Sequence, residues 1–433
     1  MVDYGGRPLA WGRGGTGERS VRALYGHLLA AVRGRADDPG RLGEATWVMA
    51  ADEEGFDAAV RRLVPGHAAP EIVIATSGST DGRGHLVGLG LDALLASAAA
   101  TLERLGGPGR WVTSLPVHGV AGFQVVLRSA LAGFEPRVYA PASGFDEALL
   151  AAALAGTEGE RRYLSLVPTQ LHAALTSGTR LLAAFDAVLV GGAALSPDLA
   201  ARAAAAGVRV VTTYGSTETA GGCVYDGVPL AGVGVRVVDG RVRLAGPTLA
   251  DAYLDLSPDA AGQPFVTDAG RRWLVTPDVG RLVDGRLVVE GRADDVLISG
   301  GANVSPLVIE AALAGLGGEW LVVGVPDDRW GTWSRPSRPT RTSTWPPSAR
   351  PPTPCARPSA RARWSGWRAS RCAPPASPTG ARRPRWRRRC SPGARGSAAE
   401  PSGRGVLRGT ATGAASPPAP GGGPRNPPQV RAD

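Results

Sequence analysis

Short runs of apolar and β-branched residues recur along the first half of the chain, separated by stretches whose apolar residues sit three and four apart. Ile72–Ala75 (IVIA), Trp111–Leu115 (WVTSL), Tyr163–Val167 (YLSLV), Ala187–Val190 (AVLV) and Val208–Thr212 (VRVVT) have the length and composition of buried strands. Thr46–Ala50 predicts one more. Val21–Arg33 carries Val21, Leu24, Tyr25, Leu28, Leu29 and Val32 at helical spacing. Phe56–Leu63, Leu91–Leu105, Val120–Leu131 and Pro168–Leu175 predict further helices. Ser196-Pro197 pairs an N-cap serine with proline at a first helical position. Strand, helix and strand alternate from 71 to 213 as in a parallel α/β sheet.

From Val233 to Val289 the pattern changes. Short β-rich pieces (VRVV, RVRLAG, RWLVTPDVG, RLVVEG) are separated by Asp239-Gly240 and Asp284-Gly285, which favour two-residue hairpin turns. A small β-subdomain is predicted there. Ser305-Pro306 opens a helix holding Glu310. The first 20 residues include six glycines and are expected to be flexible. The predicted fold is α/β. A large N-terminal domain over 21–291 combines parallel α/β subdomains with the small β-subdomain, and a truncated small α+β domain begins over 292–331.

Composition narrows the function classes. Apolar residues make up 43% of the chain, ordinary for a packed core. No stretch approaches the ~18 apolar residues of a membrane span. The opening MVDYGGRPLAWGRGG lacks the apolar centre of a secretory signal, so a cytoplasmic location is expected. The cysteines (Cys223, Cys355, Cys372, Cys390) have neither metal-site nor disulfide-framework spacing, and Cys223 reads as a pocket or core residue. All 48 basic residues are arginine, with no lysine anywhere. Residues 332–433 hold 20 arginines against Glu400 and Asp433, a net +18, while the rest hold 28 against 36 acids, a net −8.

Candidate chemistry follows the predicted strands. Ile72–Ala75 runs into Thr76, Ser77, Gly78, Ser79 and Thr80, with Arg83 close behind. Hydroxyls and backbone N–H groups in a glycine loop can cradle phosphate oxygens, although an ordinary Ser/Gly turn fits the same residues. It is not a Walker loop, whose spacing is absent. Val208–Thr212 runs into YGSTET, at the carboxyl end of a strand, where open α/β sheets bind ligands. Tyr214 can stack on a purine, Glu218 offers a hard oxygen of the kind Mg²⁺ takes beside phosphates, and Thr217 and Thr219 can hydrogen-bond phosphate or carboxylate. Gly191, Gly192 and Ala193 let backbone approach a flat ring. Gly221 and Gly222 leave room for an acyl group. Arg128, alone on an apolar helix face, needs water or a carboxylate partner. It either snorkels or pairs internally, or it faces a carboxylate of the substrate.

TSGST at 76–80, YGSTET at 214–219, Thr276-Pro277-Asp278-Val279-Gly280 and GRADDVLISGGANVSPLVIE at 291–310 come in that order. Together they resemble the adenylate-forming (acyl-CoA synthetase, AMP-binding) superfamily, from about Ile72 to Gly331. YGSTETAGGCVYDGVPLAGV and RLGGPGRW look most like its short actinobacterial o-succinylbenzoate–CoA ligases. The resemblance implies an acid–CoA ligase using ATP, Mg²⁺ and coenzyme A on a small carboxylic acid. It implies nucleotide binding by Thr76–Thr80, Arg83, the Gly191–Ala193 loop, Tyr214, Gly215 and Thr217. Asp278 and Arg292 would hold ribose, Glu218 the metal, and Thr80, Arg83, Glu218 and Arg292 would serve catalysis. Asp294 matches the hinge between the domains, and Ser299–Val304 a loop carried by the small domain. The family's histidine lies three residues after the proline of Pro116-Val117-His118-Gly119. Here His118 is one residue early, either shifting to serve the acyl site or bonded within its loop. Asp81 stands where the family has glycine. A homodimer is compatible with the family.

After residue 332 the resemblance stops. From 333 onward Ile, Leu, Val and Phe are represented only by Val406, Leu407 and Val430, while 20 of the 37 prolines lie there. Such a segment is expected to be a disordered basic tail, and nucleic acid is expected as a partner only through it. Its five tryptophans among arginines fit a frameshift better. One base earlier, Trp386–Cys390 (WRRRC) reads roughly Leu-Ala-Ala-Ala-Leu, a plausible helix. Resequencing codons 325–345 from the source is expected to reveal an inserted or missing base, and an unchanged sequence would make the tail authentic. The family's C-terminal lysine has no counterpart, so two alternatives stand beside the ligase reading: another aryl or fatty acid as substrate, or a non-catalytic nucleotide-binding remnant.

Overall fold

The computed structural model describes residues 3–37, 45–76, 84–299, 302–313, 321–327 and 331–337. Two sheets carry the large domain. The first orders its strands Asp3–Tyr4, Arg7–Arg13, Thr46–Ala50, Ile72–Ala75, Leu86–Leu89 and Ala252–Tyr253. Arg7–Arg13, Thr46–Ala50 and Ile72–Ala75 run parallel, and the chain then returns antiparallel through Leu86–Leu89. The second sheet is parallel from Arg137–Val138 through Arg110–Thr113, Arg162–Leu166, Ala187–Val190 and Val210–Ser216, and closes with antiparallel Gly221–Tyr225 and Val228–Pro229.

The single alternating series expected from 71 to 213 is therefore split between two sheets. Helices Leu91–Arg104 and Val120–Ala132 lie between them. Leu94, Phe123, Val126 and Leu127 pack toward the first sheet beside Ile74 and Val87. Ala100, Leu102 and Val125 pack toward Trp111, Tyr163 and Leu189 of the second. Every residue from Gly122 to Ala130 is buried, as expected of a helix apolar all round. Helices Glu147–Leu154, Pro168–Ser177 and Pro197–Ala205 cover the other face of the second sheet. Ser196 caps the last of these, its Oγ accepting the Leu199 N–H at 3.2 Å.

The opening residues depart from expectation. Arg7–Arg13 forms a full strand of the first sheet, and Tyr4 donates its hydroxyl to Val64 O at 2.8 Å. Glycine-rich sequence lowers intrinsic preference, but an adjacent open strand supplies the missing hydrogen-bond partners. The β-subdomain forms as predicted, with Gly234–Val238, Arg241–Ala245, Phe265–Asp268, Arg271–Val283 and Arg286–Arg292 in one antiparallel sheet. Asp239 and Asp284 take positive φ at the hairpin turns, each followed by glycine. Cys223 is fully buried beneath this sheet, so it is a core residue.

Four strands, Leu297–Ser299, Ala302–Val304, Leu321–Asp327 and Gly331–Ser337, form a separate antiparallel sheet beside helix Pro306–Leu313. Glu310 belongs to this scaffold, because its Oε1 accepts the Val322 N–H at 2.8 Å. Pairing continues from Leu321↔Ser337 to Asp327↔Gly331, so regular structure runs past 332, where the tail was expected to begin. Main-chain ladders do not depend on the apolar side chains lost there. The rest of the tail lies outside the described residues. Among the described residues, no helix is long and apolar enough to cross a membrane.

Candidate active site

The strand Val210–Ser216 ends in a bulge between Tyr214 and Gly215. Gly215 has φ +154°, and a Cβ there would collide with Gly221 O and lie 2.8 Å from Gly222 Cα, so glycine is required. Thr217–Thr219 then form one 3₁₀ turn. Thr219 Oγ1 accepts the Ser216 N–H at 2.9 Å and donates to Gly221 O at 2.7 Å. This turn presents Glu218. Its backbone carbonyl accepts the Ala250 N–H at 2.9 Å, and its Oε1 accepts the Tyr253 hydroxyl at 2.5 Å.

Glu218 is only 8% exposed, and no arginine or histidine lies within ion-pair distance of it among the described residues. A buried carboxylate without a cation is costly. The described residues hold no cluster of three or more metal-ligating side chains. One carboxylate oxygen completed by phosphates and water is how Mg²⁺ is commonly held at nucleotide sites, and Glu218 fits that role.

Tyr214 donates its hydroxyl to Asp278 Oδ2 at 2.7 Å, which fixes the ring expected to stack on a purine. Asp278 faces Arg292 across the hairpin of the β-subdomain. Burial raises the Asp278 pKa, opposed by the Tyr214 hydrogen bond and the charge of Arg292, while Glu218 adds to the rise. Burial likewise pushes the Tyr214 and Tyr253 hydroxyls well above the usual range, with help from Asp278 and Glu218 respectively. Arg292 also pairs with Asp294 at 3.2 Å, on an exposed surface.

Of the expected phosphate loop, Ser77, Gly78, Ser79, Thr80, Asp81 and Arg83 lie outside the described residues. Its two ends are described, and they are stapled together. Thr76 N–H donates to His85 O and His85 N–H to Thr76 Oγ1, both at 2.8 Å. Gly84 has φ +61°, and a Cβ there would collide with Thr76 O. The Thr76 hydroxyl thus closes the loop. His85 stacks on Tyr253, rings 4.0 Å apart and 12° from parallel. Sequence reading missed Tyr253, His85 and Asp255. Nothing in their spacing, about 170 residues apart, points to a shared site.

Gly191 lies against Thr213, whose Oγ1 a Cβ would strike, and Gly192 has φ +81°. Gly192 and Ala193 are exposed at the carboxyl end of their strand. The space beside Gly221 and Gly222 is taken by Gln124, Thr213 and Tyr225. His118 Nδ1 accepts the Gly15 N–H at 3.2 Å, which makes it a histidine bonded between loops, and burial lowers its pKa.

Arg128 does not snorkel, because it lies in the fully buried stretch Gly122–Ala130 of its helix. It is 4% exposed, its guanidinium lies 5.1 Å from the Trp111 ring, and Nη2 donates to Tyr225 OH at 3.4 Å. No carboxylate pairs with it among the described residues, Nε has no hydrogen-bond partner, and burial lowers its pKa.

Tyr214 and Glu218 stand at the carboxyl end of a parallel α/β core, where open sheets bind ligands, and Asp278 of the β-subdomain meets Tyr214 there. Residues 40–267 match the AMP-binding enzyme family, and the chain belongs to it. It is 44% identical over 269 residues to a probable 2-succinylbenzoate–CoA ligase from Mycobacterium tuberculosis, covering 60% of this chain and 68% of that protein. It is 34% identical over 229 residues to 2-succinylbenzoate–CoA ligase from Salmonella typhimurium, covering 51% of this chain and about half (47%) of that protein. Among solved structures, it is similar to wild-type Escherichia coli MenE with a bound phenylether-linked analogue of OSB-AMS, at 26% identity and TM-score 0.52, covering 69% and 68%. Bacillus subtilis o-succinylbenzoate CoA synthetase with the acyl-adenylate OSB-AMP shares the fold, with TM-score 0.60 at 20% identity, covering 78% and 80%.

Proposed function

We propose that the chain is an ATP-dependent, AMP-forming acid–CoA ligase, and that its acid is o-succinylbenzoate, an intermediate of menaquinone synthesis. The carrying observation is the buried Glu218, without a counter-cation among the described residues, near the Tyr214–Asp278 pair in a chain of this family. Identity of 44% to a probable ligase for that acid supports the substrate.

In the first half-reaction the acid's carboxylate oxygen attacks the α-phosphorus, and pyrophosphate leaves. In the second, coenzyme A thiolate attacks the acyl carbon, and AMP leaves. Tyr214 and the Gly191–Ala193 backbone flank the adenine, and Asp278 accepts from the ribose hydroxyls with Arg292 near. Thr76 and Gly84 set the ends of the loop that meets the phosphates. Bound Mg²⁺, held by Glu218, would neutralise phosphate charge. The protein positions groups and stabilises charge.

Pyrophosphate release compared across o-succinylbenzoate, benzoate and a fatty acid tests the reading. Release should be greatest with o-succinylbenzoate, and preference for another acid would overturn the substrate. The absence of lysine favours a second reading, a nucleotide-binding remnant. It predicts that MgATP raises the melting temperature with no pyrophosphate or thioester formed.

A further inference from the structure

We propose that Tyr253 is a positioning residue for Glu218, locked in place by His85 and Asp255. One side-chain stack then sets both the exit of the 76–84 loop and the carboxylate that meets the nucleotide's metal. This role rests on the nucleotide reading above.

The contacts form a continuous chain. Tyr253 gives its hydroxyl to Glu218 Oε1 at 2.5 Å, which occupies one carboxylate oxygen and fixes the plane of the other. Its ring is stacked on His85, at the exit of the loop. His85 Nδ1–H donates to Asp255 Oδ2 at 3.1 Å. Asp255 is in turn anchored by the Leu86 N–H at 2.8 Å and by Arg62 at 3.0 Å. Arg62 also donates to Gly84 O, at the loop's exit. Tyr253 and Leu86 belong to paired strands of the first sheet, so the stack stands on rigid backbone. A carboxylate on a one-turn 3₁₀ segment has little local support, and a hydroxyl presented by a sheet supplies it. Hydrogen-bonded partners of a metal ligand are typically worth about tenfold to a hundredfold in metal affinity.

The test uses the full-length chain and Mn²⁺, followed by its electron spin resonance signal with and without ATP. Tyr253→Phe should weaken Mn²⁺ binding in the presence of ATP about tenfold, with metal-free ATP affinity within about twofold of the unsubstituted chain. His85→Ala should weaken Mn²⁺ binding in the same way. His85→Phe keeps a ring against Tyr253 and should recover most of that loss. Unchanged Mn²⁺ affinity in Tyr253→Phe overturns the positioning role alone. Parallel loss of Mn²⁺ and metal-free ATP binding, with a lower melting temperature, makes Tyr253 merely structural and also overturns it. No ATP binding by the unsubstituted chain overturns the nucleotide reading and this role together.

Discussion

Glu218→Gln should abolish metal-dependent nucleotide chemistry while leaving the fold intact. Glutamine keeps an oxygen to accept the Tyr253 hydroxyl, and the Ala250 N–H bonds to the backbone carbonyl, which is unchanged. The charge is lost, and an NH₂ group replaces the second oxygen. The melting temperature should stay within about 2 °C of the unsubstituted chain, because removing a buried uncompensated charge is not destabilising. Acid-dependent pyrophosphate release should fall about a thousandfold, since charge stabilisation of the departing phosphates is worth several kcal/mol. The paired measurement is Mn²⁺ affinity in the presence of ATP. If both release and affinity survive, another group holds the metal, and Glu218 serves only the packing of its turn.

Arg128→Met should do two things at once. The arginine is enclosed between two sheets beside Trp111 and Tyr225, and it lacks an anionic partner among the described residues. Methionine of similar volume removes the desolvation cost, so stability should rise by about 1–3 kcal/mol in denaturant unfolding. If the second carboxylate of a dicarboxylic acid is the missing partner, affinity for o-succinylbenzoate should fall about a hundredfold. Affinity for ATP should stay nearly constant. Calorimetric titration of the two ligands separates the cases. Gain of stability with unchanged acid affinity would assign Arg128 to the core alone. Equal loss for acid and ATP would point to a general rearrangement of the site.

Both predictions concern charges that the fold buries without a counter-charge among the described residues. Burial is a property of layers, and no single stretch of sequence announces it. Arg128 sits in a helix whose apolar residues run all round, a pattern visible in VAGFQVVLRSALA. The pattern marks the helix as buried, yet gives no clue to which faces Trp111 and Tyr225 would occupy.

Local patterns determined a large share of the architecture. Apolar runs placed Thr46–Ala50 and Ala187–Val190 at the boundaries observed, and the Ser196-Pro197 cap and the Asp-Gly hairpins formed where expected. These depend on φ preference, capping and strand periodicity, which act over a few residues. The motif residues Tyr214 and Asp278, 64 apart in sequence, meet through a hydrogen bond. Tertiary structure alone decided the remainder. It split one alternating series into two sheets with two helices between them. It drew Arg7–Arg13 into a sheet despite its glycine-rich setting. It tied His118 to Gly15, and it brought Tyr253, His85 and Asp255 beside Glu218. Each of these rests on contacts between residues far apart in sequence, whose energy comes from shared burial and paired polar groups. Such terms exist only once the layers have assembled.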